Sequence, residues 1–188
     1  MAVSFENCLV VGISSRALFD LTKENEIFEK EGLDAYSTYQ IEHEDDVLKP
    51  GSGFALVKAL LHLNTLSQQR LVEVIIMSRN SADTSLRVFR SIEHYGLDIT
   101  RAVLSGGESL ANYLESFGVD LFLSADEEDV QNAIDAGFAA GIIYPHLKRY
   151  PAEQLQQIRI AFDGDAVLFS DESEKIYQEK GLKAFVEY

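Results

Sequence analysis

The sequence predicts an α/β fold: a mostly parallel sheet with helices on both faces. Short apolar runs alternate with amphipathic stretches along most of the chain, which is the pattern of repeated strand–helix–strand units. The apolar runs are too continuous for strands with one wet face and suit strands buried on both sides. A third observation is that polar and acidic residues follow several of these runs directly, where open α/β sheets gather their ligand groups.

The strand candidates, in order, are Leu9–Ile13, Val72–Met77, Ala102–Leu104, Val119–Leu123, Ala140–Tyr144 and Ile158–Phe162. Helical spacing of apolar residues marks Phe54–Leu63, Ser85–Tyr95, Ser109–Phe117 and Glu127–Ala136. Asp126 stands where a side chain caps the last of these, and Glu127 and Glu128 suit its first turn. Pro50-Gly51-Ser52-Gly53 reads as a loop before a helix, and the segment from Tyr144-Pro145 to Tyr150-Pro151 as a connector.

Composition narrows the function. With 188 residues and 46% hydrophobic content the chain can bury a core of one domain or slightly more. A formal net charge of −15 disfavours binding to a nucleic-acid backbone. An acidic protein that handles phosphate esters needs a local positive field or a metal ion. The one cysteine, Cys8, lies in an apolar stretch and reads as a small buried hydrophobe. No apolar run reaches membrane-spanning length and no leader pattern is evident, so the expectation is a cytoplasmic protein without a membrane partner.

The residues that carry chemistry lie near the end. Ile160-Ala161-Phe162 leads into Asp163-Gly164-Asp165, followed by Ala166-Val167-Leu168-Phe169. Two carboxylates at a strand tip can hold Mg²⁺ through oxygen ligands. One can attack phosphorus while the other moves a proton. The plainer alternative is a polar turn after a strand. No spacing of His and Cys suggests zinc, no Gly-rich phosphate loop follows a strand, and Ser14-Ser15 is not a serine-hydrolase elbow.

The stretch from Phe162 to Glu174 resembles the first signature of the cytosolic 5′-nucleotidase I family, a group of haloacid-dehalogenase-like phosphohydrolases. The segments Ser14–Phe19, Ser91–Arg101 and Leu121–Asp126 resemble the same family. The resemblance implies a Rossmann-like fold and Mg²⁺-dependent hydrolysis of nucleoside 5′-monophosphates. It assigns Asp163 as nucleophile, Asp165 as acid and base, and both as metal ligands. Ser78, after the second strand, stands where that fold carries a phosphate-binding hydroxyl. Ser105-Gly106-Gly107-Glu108 occupies the place of a lysine-bearing motif and offers no lysine. Asp126 occupies the place of an acidic pair.

An internal repeat also shows, the alternative being two strand–loop–helix units that look alike by chance. Ser14–Tyr39 aligns without gaps on Asp163–Tyr188, pairing Gly32-Leu33 with Gly181-Leu182 and Tyr39 with Tyr188. Residues 1–150 then form a first lobe with degenerate motifs, and 157–188 begin a second, catalytic-type repeat. In the first lobe Ser14 and Arg16 replace the two aspartates. Its Ser78, Arg79 and Asn80 are the candidate substrate-binding residues, with Arg79 able to grip a phosphate; the alternative is turn and capping chemistry. Capping is favoured for Ser124 and Asp126. The later catalytic motifs of the family do not appear before Tyr188, so the chain is expected to be a fragment, a truncated homologue or a poor catalyst. The competing function is a nucleotide-binding or oligomerisation module, with a homo-oligomer formed over apolar surface of the second repeat.

Overall fold

In the computed structural model, residues 5, 7–144, 158, 160–162, 170 and 172–183 are described. They belong to two units, Met1–Gln156 and Gln157–Tyr188. The first unit is built on a parallel sheet of five strands in the order β3-β2-β1-β4-β5, where β1 is Leu9–Ile13, β2 Val72–Ser78, β3 Arg101–Leu104, β4 Leu121–Ser124 and β5 Ala140–Ile142. β1 lies at the centre, with Val11 opposite Val74 on one side and Leu121 on the other.

Buried on both faces, β2 has no exposed residue, and four of the five residues of β1 are buried. The helices are α1 (Ser15–Leu18), α2 (Thr22–Glu31), α3 (Leu33–Glu42), α4 (Phe54–Leu63), α5 (Leu86–His94), α6 (Ala111–Leu114) and α7 (Glu127–Asp135). One sheet face, with Val10, Ile75, Met77, Val103 and Phe122, packs on Leu110, Leu114, Val119 and Ala133 from the α6 and α7 side. The opposite face meets α4, where Ile13 approaches Gly53. Chain order reverses direction in the sheet between β1 and β4, and right-handed crossovers put the helices before and after that reversal on opposite faces.

Two glycines let the chain pass close to α1. A Cβ at Gly51 would stand 2.8 Å from the Phe19 carbonyl carbon, and one at Gly53 would stand 2.9 Å from the Ala17 oxygen. The backbone N–H of Gly53 donates to that same oxygen at 2.8 Å, so the loop is tied to α1 where it comes closest. At the other end of the sheet, the carboxylate of Glu73 is wholly buried, 2.5 Å from Arg70 Nε and also paired with Arg101. Cys8 precedes β1 and is half-buried; burial and the nearby Glu73 charge raise its thiol pKa.

Among the described residues of the second unit, helix α8 covers Glu172–Lys180. It ends at Gly181, whose φ of +79° suits glycine, and the chain turns helical again at Leu182 and Lys183. The first unit repeats this locally: α2 ends at Gly32, φ +88°, and α3 begins at Leu33. The strand expected over Ile158–Phe162 is not seen at residues 158 and 160–162, and Ile160 and Phe162 are exposed. No other described residue of this unit forms a strand. No helix of the described residues is long and apolar enough to cross a membrane.

Candidate functional site

A cavity of about 580 Å³ opens at the carboxyl edge of the first unit's sheet. The ends of β1, β2, β3 and β4 all contribute, through Ser14 to Arg16, Ser78 to Asn80, Gly106 and Gly107, and Ser124 to Asp126. It therefore lies beside the reversal between β1 and β4, the crevice where such sheets bind ligands. The α2–α3 hairpin supplies the opposite wall, with Leu21 preceding it and Phe28, Leu33 and Tyr36 on it. Phe28 is half exposed and meets Tyr36 edge to face, with ring centres 5.9 Å apart.

The floor is made of hydroxyls held by the backbone. Ser14 Oγ accepts from the N–H of Ala17 at 3.2 Å and of Ala125 at 3.3 Å, which ties the start of α1 to the end of β4. Ser78 Oγ accepts from the N–H of Asn80 and lies 3.2 Å from Ser15 Oγ. Ser124 Oγ accepts from the N–H of Asp126 at 3.1 Å. The loop after β3 is pinned beside them: the Gly107 N–H donates to the Arg79 carbonyl at 2.7 Å, and that of Gly106 to the Asn80 carbonyl at 3.3 Å. Gly106 and Gly107 have φ of +62° and +101°, a conformation that glycine adopts without strain.

Charge is arranged around Arg79. Its guanidinium reaches Asp126 at 3.1 Å, Asp129 at 3.2 Å and Glu128 at 3.5 Å. Asp126 is also the cap of α7, accepting from the Asp129 N–H at 3.2 Å, and lies 3.7 Å from Arg16. Burial raises the pKa of Asp129; Arg79 pulls it down, and the charges of Asp126 and Glu128 push it up again. Burial likewise raises the Tyr36 hydroxyl, against hydrogen bonds from Gln40 and Asn80. On the hairpin side, Glu24 is buried 2.5 Å from Arg87 of α5. Arg87 also donates to the Asp46 carbonyl at 2.8 Å, so this pair fastens α2 to the body of the unit.

Ser78, Arg79 and Asn80 are thus brought together at one cavity. The charge of Arg79 is committed to three carboxylates, and Asp126 caps α7 as its place before Glu127-Glu128 implies. Asp163, Gly164 and Asp165 lie outside the described residues. Among the described residues, no group of three His, Cys, Asp or Glu side chains could hold a metal ion. Of the histidines, His43 ends α3, bonds the Tyr39 carbonyl through Nδ1 and stacks on that ring. His146 lies outside the described residues.

Sequence reasoning missed the hairpin wall. Leu21, Asn25 and Phe28 all line the cavity, and their spacing is that of one helix face, the signal available beforehand. The pairing of Glu24 with Arg87 and of Arg79 with Asp129 depends on packing between distant segments and has no local signature. Chemically, the cavity offers serine hydroxyls, an aromatic wall and ion-paired charge with carboxylate in excess, which suits binding.

A family model described as 5′-nucleotidase matches residues 1–188. Human cytosolic 5′-nucleotidase 1B is 40% identical over 189 aligned residues, covering 97% of this chain and 31% of that protein. The chain spans about a third of the length of this curated relative. With the whole chain matched and a parallel α/β sheet that carries its polar groups at the carboxyl edge, the chain belongs to the 5′-nucleotidase family.

Proposed function

We propose that the protein carrying this chain hydrolyses nucleoside 5′-monophosphates of the AMP and IMP type to nucleoside and phosphate. The observation that carries this reading is the family match over all 188 residues, which includes Asp163-Gly164-Asp165. A carboxylate oxygen of Asp163 attacks phosphorus, and the bond from phosphorus to the ribose 5′-oxygen breaks. Asp165 gives its proton to that leaving oxygen. The resulting aspartyl-phosphate is then hydrolysed: Asp165 takes a proton from water, the water oxygen attacks phosphorus, and Asp163 is released. Asp163 and Asp165 are also the proposed ligands of Mg²⁺, which would offset repulsion between an anionic nucleophile and an anionic substrate.

A cytosolic setting is proposed from the relative's name. The test is phosphate release from AMP and IMP, compared with a sugar phosphate that lacks a base. Release from the nucleotides that stops in EDTA and returns with Mg²⁺ is expected. Equal release in EDTA would overturn the metal assignment.

A second reading is a nucleotide-binding module of the same family. It is favoured by the end of β1, where Ser14-Ser15-Arg16 supplies no carboxylate. Nucleotide binding without turnover in the assay above would select it.

A further inference from the structure

We propose that the cavity at the carboxyl edge of the first unit binds a neutral nucleoside, holding the base and sugar without a phosphate and without a divalent cation. The ionisable Arg, Asp and Glu side chains that line the cavity are Arg16 and Arg79 against Glu24, Asp126, Glu128 and Asp129. Each of these arginines already faces carboxylate: Arg79 meets three acids within 3.5 Å, and Arg16 meets Asp126 at 3.7 Å. Arg87, outside the lining, neutralises Glu24, and the remainder still leaves carboxylate in excess. A phosphate dianion entering here would meet net negative charge and would have to break an ion pair to find a cation. A divalent cation has no ligand set among the described residues.

Hydrogen bonding then selects the kind of neutral ligand. Ser14 Oγ accepts two backbone N–H groups, so its remaining capacity is its own O–H as donor. Ser78 Oγ accepts one backbone N–H and shares its hydroxyl with Ser15 at 3.2 Å, and Ser124 accepts one and is wholly buried. The Ser14 hydroxyl at the floor is therefore a donor, suited to acceptor atoms such as ring nitrogens and sugar oxygens. The facing wall is apolar and aromatic. Phe28, half exposed with its edge contact to Tyr36 keeping the ring in place, offers a surface on which a flat heterocycle stacks. The volume of about 580 Å³ is in the range of small-molecule sites. Choosing a nucleoside among neutral heteroaromatic ligands rests on the nucleotidase reading, which makes nucleosides the product of the protein's own reaction.

The test is calorimetric titration of adenosine into the Asp163→Asn protein, in Mg²⁺ and in EDTA, with inorganic phosphate as competitor. Binding that is the same in both buffers and unmoved by millimolar phosphate is expected. Phe28→Ala should weaken it roughly tenfold, and Phe28→Tyr should restore it. Since Phe28 is half exposed, both variants are expected to keep the wild-type circular dichroism spectrum. No adenosine binding, binding lost in EDTA, displacement by phosphate, or indifference to Phe28→Ala would each overturn the proposal. Phosphate release from AMP by the unsubstituted protein is measured separately. Its absence with adenosine binding intact counts against the nucleotidase reading alone, and its presence without adenosine binding counts against this pocket alone.

Discussion

Arg79 Nε lies 3.2 Å from Asp129 Oδ1, and this contact holds a nearly buried carboxylate on α7 against the loop after β2. The same guanidinium reaches Asp126 and Glu128, so one side chain joins the β2 and β4 ends of the sheet. Arg79→Ala would leave Asp129 buried without its nearest cation. The expected loss of stability is about 1–3 kcal/mol at neutral pH, below the figure for a fully buried pair because Arg79 is partly exposed. Urea unfolding of the two proteins measures it.

Asp129 also sets a pH dependence. Burial puts its folded-state pKa above the ordinary 3.8, so the folded protein binds the proton more tightly than the unfolded chain. Its contribution to stability is fully present below pH 3.8 and is lost as pH rises through the folded value. Asp129→Asn should remove this descending component. Unfolding free energies measured from acid to neutral pH should differ between the two proteins in that window and run parallel above it.

The fastening of the hairpin is a separate matter. Glu24→Gln leaves the buried Arg87 guanidinium without its counter-charge, 2.5 Å from where the carboxylate lay. A loss of about 3–5 kcal/mol is expected for breaking such a pair from one side. Replacing both residues, Glu24→Gln with Arg87→Met, should recover much of it. A double-mutant cycle from chemical unfolding gives the coupling, and additive losses would contradict the assignment.

Gly51 tests the packing of the loop against α1. Its absent Cβ would lie 2.8 Å from the Phe19 carbonyl carbon and 2.9 Å from the Ala17 oxygen, both backbone atoms that cannot rotate away. Gly51→Ala should destabilise by about 1–3 kcal/mol. Gly96→Ala is a useful contrast, since nothing lies within 4 Å there and the strain comes only from φ of +60°. Thermal unfolding of both separates steric from conformational loss.

Much of the first unit was legible because its strands are continuous apolar runs. β1 covers Leu9–Ile13 as predicted, and β2 runs one residue past the predicted Val72–Met77 to include Ser78. β4 and β5 differ from expectation at their ends, Leu121–Ser124 and Ala140–Ile142: Ile143 still donates to the Ser124 carbonyl at 2.7 Å, while Tyr144 beyond it is exposed. Helix α6 keeps only Ala111–Leu114 of the predicted Ser109–Phe117, and residues 115–118 continue as turns that close at Gly118, φ +60°. Helices α2 and α3 were harder to see. The sequence of α2 is mostly charged, and its buried contact is made by Glu24, a residue type that reads as solvent-facing until Arg87 is known to meet it. Ser78, Arg79 and Asn80 were found because they follow a strand directly, yet their hydrogen-bond and ion-pair partners come from α1, α7 and the β3 loop. Gly32 and Gly181 share a positive φ between helical segments, +88° and +79°.

The most direct measurement is phosphate release from AMP by the Asp163→Asn protein beside the unsubstituted one. The account predicts a fall in kcat on the order of 10⁴-fold or more, since the amide cannot form the covalent phosphoryl intermediate. A variant that keeps a kcat within about tenfold of the parent would contradict it.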